Sequence, residues 1–187
     1  MGSSLFILGG ARSGKSRFAV ESQASRDRIA FIATAFAGDA DMAARIARHR
    51  AERPEAWTTI EEPFDVAARL KELSTRADAV VIDCLTLWVS NRLLRGDSDD
   101  VILAEADAIA GVAARPPFAL TIVSNEVGEG VHPPTERGLR FRDMLGFVNQ
   151  RVAAACHRVV LMVAGLPVTI KDRAREAPGR SDAPQAP

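Results

Sequence analysis

The chain has 187 residues, 47% of them hydrophobic, which suits one domain with a substantial core and excludes disorder throughout. Lys plus Arg and Asp plus Glu balance at 24 each, so the excess of cations that nucleic-acid binding requires is missing and no nucleic-acid partner is expected. No apolar run approaches the roughly 20 residues of a membrane span, and no positive segment precedes the first apolar stretch, so a cytoplasmic protein is expected.

The first predicted strand, Leu5–Leu8, runs into Gly9-Gly10-Ala11-Arg12-Ser13-Gly14-Lys15-Ser16, which fits G-x-x-x-x-G-K-[ST]. Glycines at these positions let backbone N–H groups turn inward and form a nest for phosphate oxygens. Lys15 then reaches the outer phosphates, and the Ser16 hydroxyl is placed to ligate Mg2+. The dinucleotide spacing G-x-G-x-x-G is absent, so the motif points to a nucleoside triphosphate.

A helix is predicted over Lys15–Ser25 and a strand over Ile29–Thr34. Another helix follows over Ala40–Arg53. On it Met42, Ile46, His49 and Arg53 step by four, three and four, so they share a face. A neutral imidazole can attack phosphorus, and nearby arginines can hold its charged target. Equally, His49 can be a basic residue near a helix C-terminus ahead of Pro54, and spacing alone leaves both readings open.

Next come a strand over Thr58–Ile60, a helix over Phe64–Ser74 and the strand "AVVID", Ala79–Asp83. An acid ending an apolar strand can anchor the Mg2+ of a phosphate loop, which is the role expected of Asp83; the alternative is that it caps the following helix. That segment, Leu85–Arg95, reads as helical with a break. A helix over Asp99–Ala114 and a strand over Leu120–Ser124 follow.

Asn125 and Glu126 then lie just beyond a strand's carboxyl end, where doubly wound sheets place ligands. Turn formation with Gly128 and Gly130 is the plainer explanation. A long helix spans Glu136–Cys156; its Asn149 reads as part of a solvated face or a subunit contact. A strand over Val159–Ala164 follows, then Leu166–Lys171, close enough behind Gly165 to return as an antiparallel edge strand. His132 and His157 read as structural or exposed, and Cys84 and Cys156 as buried free thiols.

Apolar runs alternating with helices predict an α/β fold, a parallel sheet between helix layers. With its phosphate loop, this is a P-loop NTPase (RecA-like) three-layer sandwich with an antiparallel C-terminal edge strand. One catalytic domain is expected over residues 1–171. Residues 172–187, rich in proline, alanine and charge, are expected to form a disordered tail.

The segments "GGARSGKSRFA", "DMAARIARHRAERPEAWTTIEEP", "DCLTLWVSN", "SNEVGEGV", "FRDMLGFVNQRVA" and "VAGLPVTIK", in that order over residues 4–171, resemble the bifunctional adenosylcobinamide kinase/adenosylcobinamide-phosphate guanylyltransferases of cobalamin biosynthesis. The phosphate loop is shared by many families, whereas H-x-x-x-R-P-x-x-W and N-E-V-G are far more selective. The resemblance implies that a γ-phosphate of ATP or GTP moves to the hydroxyl of adenosylcobinamide. GMP from GTP then passes through a histidine to the phosphorylated corrinoid.

That histidine matches His49. The nucleotide-contacting segments match Gly9–Ser16, Ala33, Thr34, Ala35, Arg50, Ala51, Glu52, Arg53, Glu61 and Asp83. Mg2+ would sit with Ser16 and Asp83. The relatives assemble as trimers, so a homo-oligomer is implied.

Two departures stand out. Some relatives carry a glutamate at the position of Asp83, and "GVHPPTERG" is bulkier than the usual Val-Pro turn. The rival readings are a one-step kinase of another metabolite, which has no use for His49, and a nucleotide-dependent switch, which would be indifferent to a corrinoid.

Overall fold

The computed structural model describes residues 2–23, 25–35 and 54–176. Within them seven strands form one sheet: β1 (Ser4–Gly9), β2 (Ile29–Ala33), β3 (Thr58–Glu61), β4 (Ala79–Asp83), β5 (Ala119–Val123), β6 (Arg158–Val163) and β7 (Leu166–Asp172). The helices are α1 (Lys15–Glu21), α2 (Val66–Glu72), α3 (Leu85–Arg95), α4 (Asp99–Ala114), α5 (Glu136–Ala155) and the short α6 (Arg173–Glu176). The predicted helix over Ala40–Arg53 lies outside the described residues.

The strand order is β3-β2-β4-β5-β1-β6-β7. Every pairing is parallel except that of β6 with β7, the expected antiparallel edge. Strands buried on both faces alternate between two cores. Phe6, Ile32, Val80, Ile82, Leu120 and Ile122 pack with apolar residues of α2, α3, α4 and α5. Ile7, Phe31, Val81, Val123 and Val160 face the other way, with Ala19 of α1 and Trp57. Helices thus cover both faces, the arrangement that parallel sheets require.

Local chemistry trims the predicted boundaries. Helix α1 ends at Glu21, short of the predicted Ser25, where the Ser22 hydroxyl donates to the Ala19 carbonyl at 2.7 Å. Gln23 is then drawn into the core, its amide on Thr121 Oγ1 at 2.7 Å. Helix α3 is continuous, without the expected break. Asn91, a residue that competes with helical backbone when free, spends its amide on the Thr34 carbonyl at 2.7 Å.

Ordered structure also passes the expected boundary at Lys171. Arg173 N donates to the His157 carbonyl at 3.0 Å, and the Arg173 and Lys171 side chains bond the last carbonyls of α5, Ala154 and Ala153. Basic groups on orphan carbonyls stabilise a helix C-terminus, so these charged residues have a docking role. Among the described residues no helix is long and apolar enough to cross a membrane.

Candidate active site

The four central strands end along one edge. In register, Ala33 sits beside Asp83, Asp83 beside Val123, and Ile7 beside Val123. Asp83 therefore closes β4, the loop after Val123 closes β5, and the Gly9–Ser16 loop closes β1.

The loop has the backbone that its glycines permit. Gly14 caps α1 at φ 93, and Arg12 also has positive φ. At Gly9, φ 150, a Cβ would lie 2.7 Å from the Met162 carbonyl and 2.8 Å from Ser13 Oγ, so only glycine fits. The loop leans on the β6–β7 turn, where Gly165 N donates to the Ser13 carbonyl at 3.1 Å. Ala11 and Arg12 are exposed, and Ser16 opens the first turn of α1.

Lys15 is buried against this loop. Its ammonium donates to the Gly10 carbonyl at 2.5 Å and to Ser13 Oγ at 3.3 Å. Burial lowers its pKa below the ordinary 10.5, partly offset by its electrostatic interaction with Cys84 and Asp83. Lys15 and Asp83, far apart in sequence, thus act on each other in space. Burial pushes the Cys84 thiol up to about 11, so it is no nucleophile at neutral pH.

The cap position of α3 is Cys84, one residue past Asp83. The Asp83 carboxylate and the Ser16 hydroxyl suit Mg2+, which is bound through one or two carboxylates, waters and substrate phosphates. Among the described residues no three His, Cys, Asp or Glu side chains converge as a full metal cage, and such a cation needs none.

Farther along the edge, Thr34 is fully buried, and its hydroxyl bonds Cys84. Ala33 is buried beside it, Ala35 is half-buried, and Glu61 is exposed at the end of β3. His49 and Arg50–Arg53 lie outside the described residues.

Beyond β5, Asn125 N donates to Thr86 Oγ1 at 2.7 Å, and Glu126 N to the Gly9 carbonyl at 3.2 Å. The Asn149 amide donates to the Asn125 carbonyl at 3.0 Å. Asn149 is buried, contrary to the expected solvated face or subunit contact. Thr86, Asn149 and Gly165 escape sequence reasoning; the one available signal was an asparagine on the apolar stripe of α5 formed by Met144, Leu145, Val148 and Val152. Arg142 pairs with Asp143 at 2.8 Å and meets His132 at 3.1 Å. His157 is structural, 2.7 Å from Ser4 Oγ.

Fold and edge together define a P-loop nucleotide-binding protein with a three-layer α/β architecture. A type III secretion system ATPase from pathogenic bacteria superposes with a TM-score of 0.59 at 13% identity, over 97% of this chain and 60% of its own, and so shares the fold. The family model described as cobinamide kinase/cobinamide phosphate guanyltransferase matches residues 5–170, and the chain belongs to that family.

The bifunctional adenosylcobalamin biosynthesis protein CobP of Pseudomonas aeruginosa is 44% identical over 166 residues, 88% of this chain and 95% of that one. Its counterpart CobU of Escherichia coli is 36% identical over 179 residues, 89% and 99% of the two chains. The family is one of enzymes, with a kinase and a guanyltransferase activity in its description.

Proposed function

We propose that this chain phosphorylates adenosylcobinamide and then converts the product to adenosylcobinamide-GDP in cobalamin biosynthesis. The observation that carries the reading is the meeting of the phosphate loop and Asp83 at one sheet edge, with Lys15 buried between them, in a chain of this family.

In the first reaction the corrinoid's hydroxyl oxygen attacks the γ-phosphorus of ATP or GTP. A new P–O bond forms, the bond to the departing diphosphate breaks, and the hydroxyl proton is released. Such transfers ask mainly for positioning and charge neutralisation. The inward N–H groups of Gly9–Ser16 hold the phosphates, and Lys15 follows their charge. Ser16 and Asp83 would hold Mg2+, which when bound neutralises charge on the phosphate oxygens.

In the second reaction a ring nitrogen of His49 attacks the α-phosphorus of GTP, forming a P–N bond as pyrophosphate leaves. A phosphate oxygen of the phosphorylated corrinoid then attacks the same phosphorus, and the P–N bond breaks. Arg50, Ala51, Glu52 and Arg53, with Ala33–Ala35 and Glu61, complete the nucleotide contacts in this reading. A homo-oligomer, a trimer as in the relatives, belongs to it too, and sedimentation equilibrium would test that part.

The decisive experiment uses GTP labelled in its α-phosphate. Wild type should give an acid-labile, base-stable protein adduct that chases into corrinoid product, and His49→Ala should give none. Equal labelling of the two proteins would remove the histidine step. A chain inert towards corrinoid in the phosphorylation assay would remove the reading altogether.

A further inference from the structure

Three elements converge on two consecutive residues in the middle of the edge. Thr86, in the first turn of α3 behind Asp83, accepts from Asn125 N at 2.7 Å. Asn149 of α5 donates to the Asn125 carbonyl at 3.0 Å, so both polar groups of that residue's main chain are held by side chains. The next amide, Glu126 N, donates to the Gly9 carbonyl at the root of the phosphate loop.

Strand β5 lies between β1 and β4. Among the described residues, the chain leaving β5 runs between the phosphate loop and the end of β4. What fixes Asn125 therefore bears on the spacing of the two.

Asn149 is an odd choice for stability alone. It lies on the buried stripe of α5, 5% exposed, and its Oδ1 has no hydrogen-bond partner among the described residues. Ser124 Oγ, one residue before the held peptide, is buried and equally unpaired. Buried polar atoms without partners cost stability; a leucine at 149 would remove that cost but leave the Asn125 carbonyl without its donor, so the two changes oppose each other.

We propose that Thr86 and Asn149 are positioning residues that clamp the Asn125 peptide, making the Asn125–Glu126 turn a rigid spacer between the phosphate loop and Asp83. Neither side chain reaches the reacting atoms in this proposal; both act through the turn. The inference rests on the phosphorylation step proposed above, whose rate depends on how the loop and the acid are spaced.

The test is steady-state phosphorylation of adenosylcobinamide by the full chain, with thermal melting in parallel. Asn149→Leu removes the donor and the unpaired oxygen together. Thr86→Val is close in shape and removes the hydroxyl that accepts from Asn125 N and also bonds the Cys84 thiol, and Thr86→Ser returns it. The clamp predicts kcat down about tenfold or more for Asn149→Leu and Thr86→Val, KM for the triphosphate within about twofold, and kcat recovered in Thr86→Ser.

A merely structural role predicts an unchanged kcat of the folded fraction for Asn149→Leu, whatever its melting temperature, and that result would overturn the proposal. So would wild-type kcat in both variants, or Thr86→Ser as slow as Thr86→Val. A wild-type chain that transfers no phosphate to the corrinoid removes the proposed function and, with it, this inference.

Discussion

One hydroxyl of Thr34 serves both ends of Cys84: Thr34 Oγ1 accepts from Cys84 N at 2.8 Å and donates to the Cys84 carbonyl at 2.7 Å. The exit of β2 is thereby fastened to the exit of β4, immediately behind Asp83. Thr34→Val keeps the shape and leaves the amide and carbonyl of Cys84 without these bonds. It should cost about 1–3 kcal/mol, a loss of several degrees in melting temperature for a chain of this size, measurable by calorimetry. An unchanged melting temperature would show that the bonds carry no net stability.

The charge of Asp83 helps to keep Lys15 protonated against burial, and an alkaline limit on triphosphate use is the expected consequence. Burial already places the Lys15 pKa below 10.5, and Asp83 holds it up. Asp83→Asn removes the supporting charge, so Lys15 should lose its proton at lower pH. The alkaline limb of kcat/KM for the triphosphate should move to lower pH in the variant, separately from any fall in maximum rate. For stability the sign is opposite to that of a salt-bridged lysine. Through the interval between the folded pKa and 10.5 the unfolded chain binds more protons, so the Lys15 contribution to stability rises with pH. A limb that stays in place would mean that Asp83 does not act on Lys15.

Gly9 is the most restrictive position of the loop. In Gly9→Ala the new methyl would sit 2.7 Å from the Met162 carbonyl, at a φ of 150 that alanine rarely adopts. Overpacking of this kind costs about 1–3 kcal/mol, and here backbone must shift to relieve it. Denaturant unfolding should show that loss, and triphosphate affinity should fall with it because β1 can no longer deliver the loop squarely.

The proposed histidine step predicts an acid limb. His49 must be neutral to attack, so formation of the α-labelled adduct should decline as pH falls through a value near about 6.5, the ordinary histidine range. The γ-phosphate transfer has no such requirement and should hold its rate there. Parallel declines in the two reactions would argue against a separate histidine step.

Sequence and structure agree best where local chemistry acts alone. The phosphate loop needs its glycines in one short stretch, and the apolar strands β1, β4 and β6 are buried on both faces, so both were readable from residue type and order. Agreement fails where a residue's role is set by a distant partner. Nothing near Asn91 announces that its amide will bond Thr34 and so keep α3 whole. Nothing near Lys171 or Arg173 announces the open carbonyls of α5 that hold them. Thr86 and Asn149 meet only because α3 and α5 pack on the same face of the sheet, a tertiary fact without a sequence motif.

The interposed β5 has one more consequence. Neighbouring strands in a twisted sheet are rotated by roughly 20–25°, so two steps turn the direction in which β1 delivers its loop by about 40–50° relative to that in which β4 delivers its acid. The angle of approach between anion and acid is thus a property of sheet curvature. Ile122 and Ile82, paired and fully buried beneath the edge, help to hold that curvature. Reshaping them would re-aim the chemistry without altering any group that performs it.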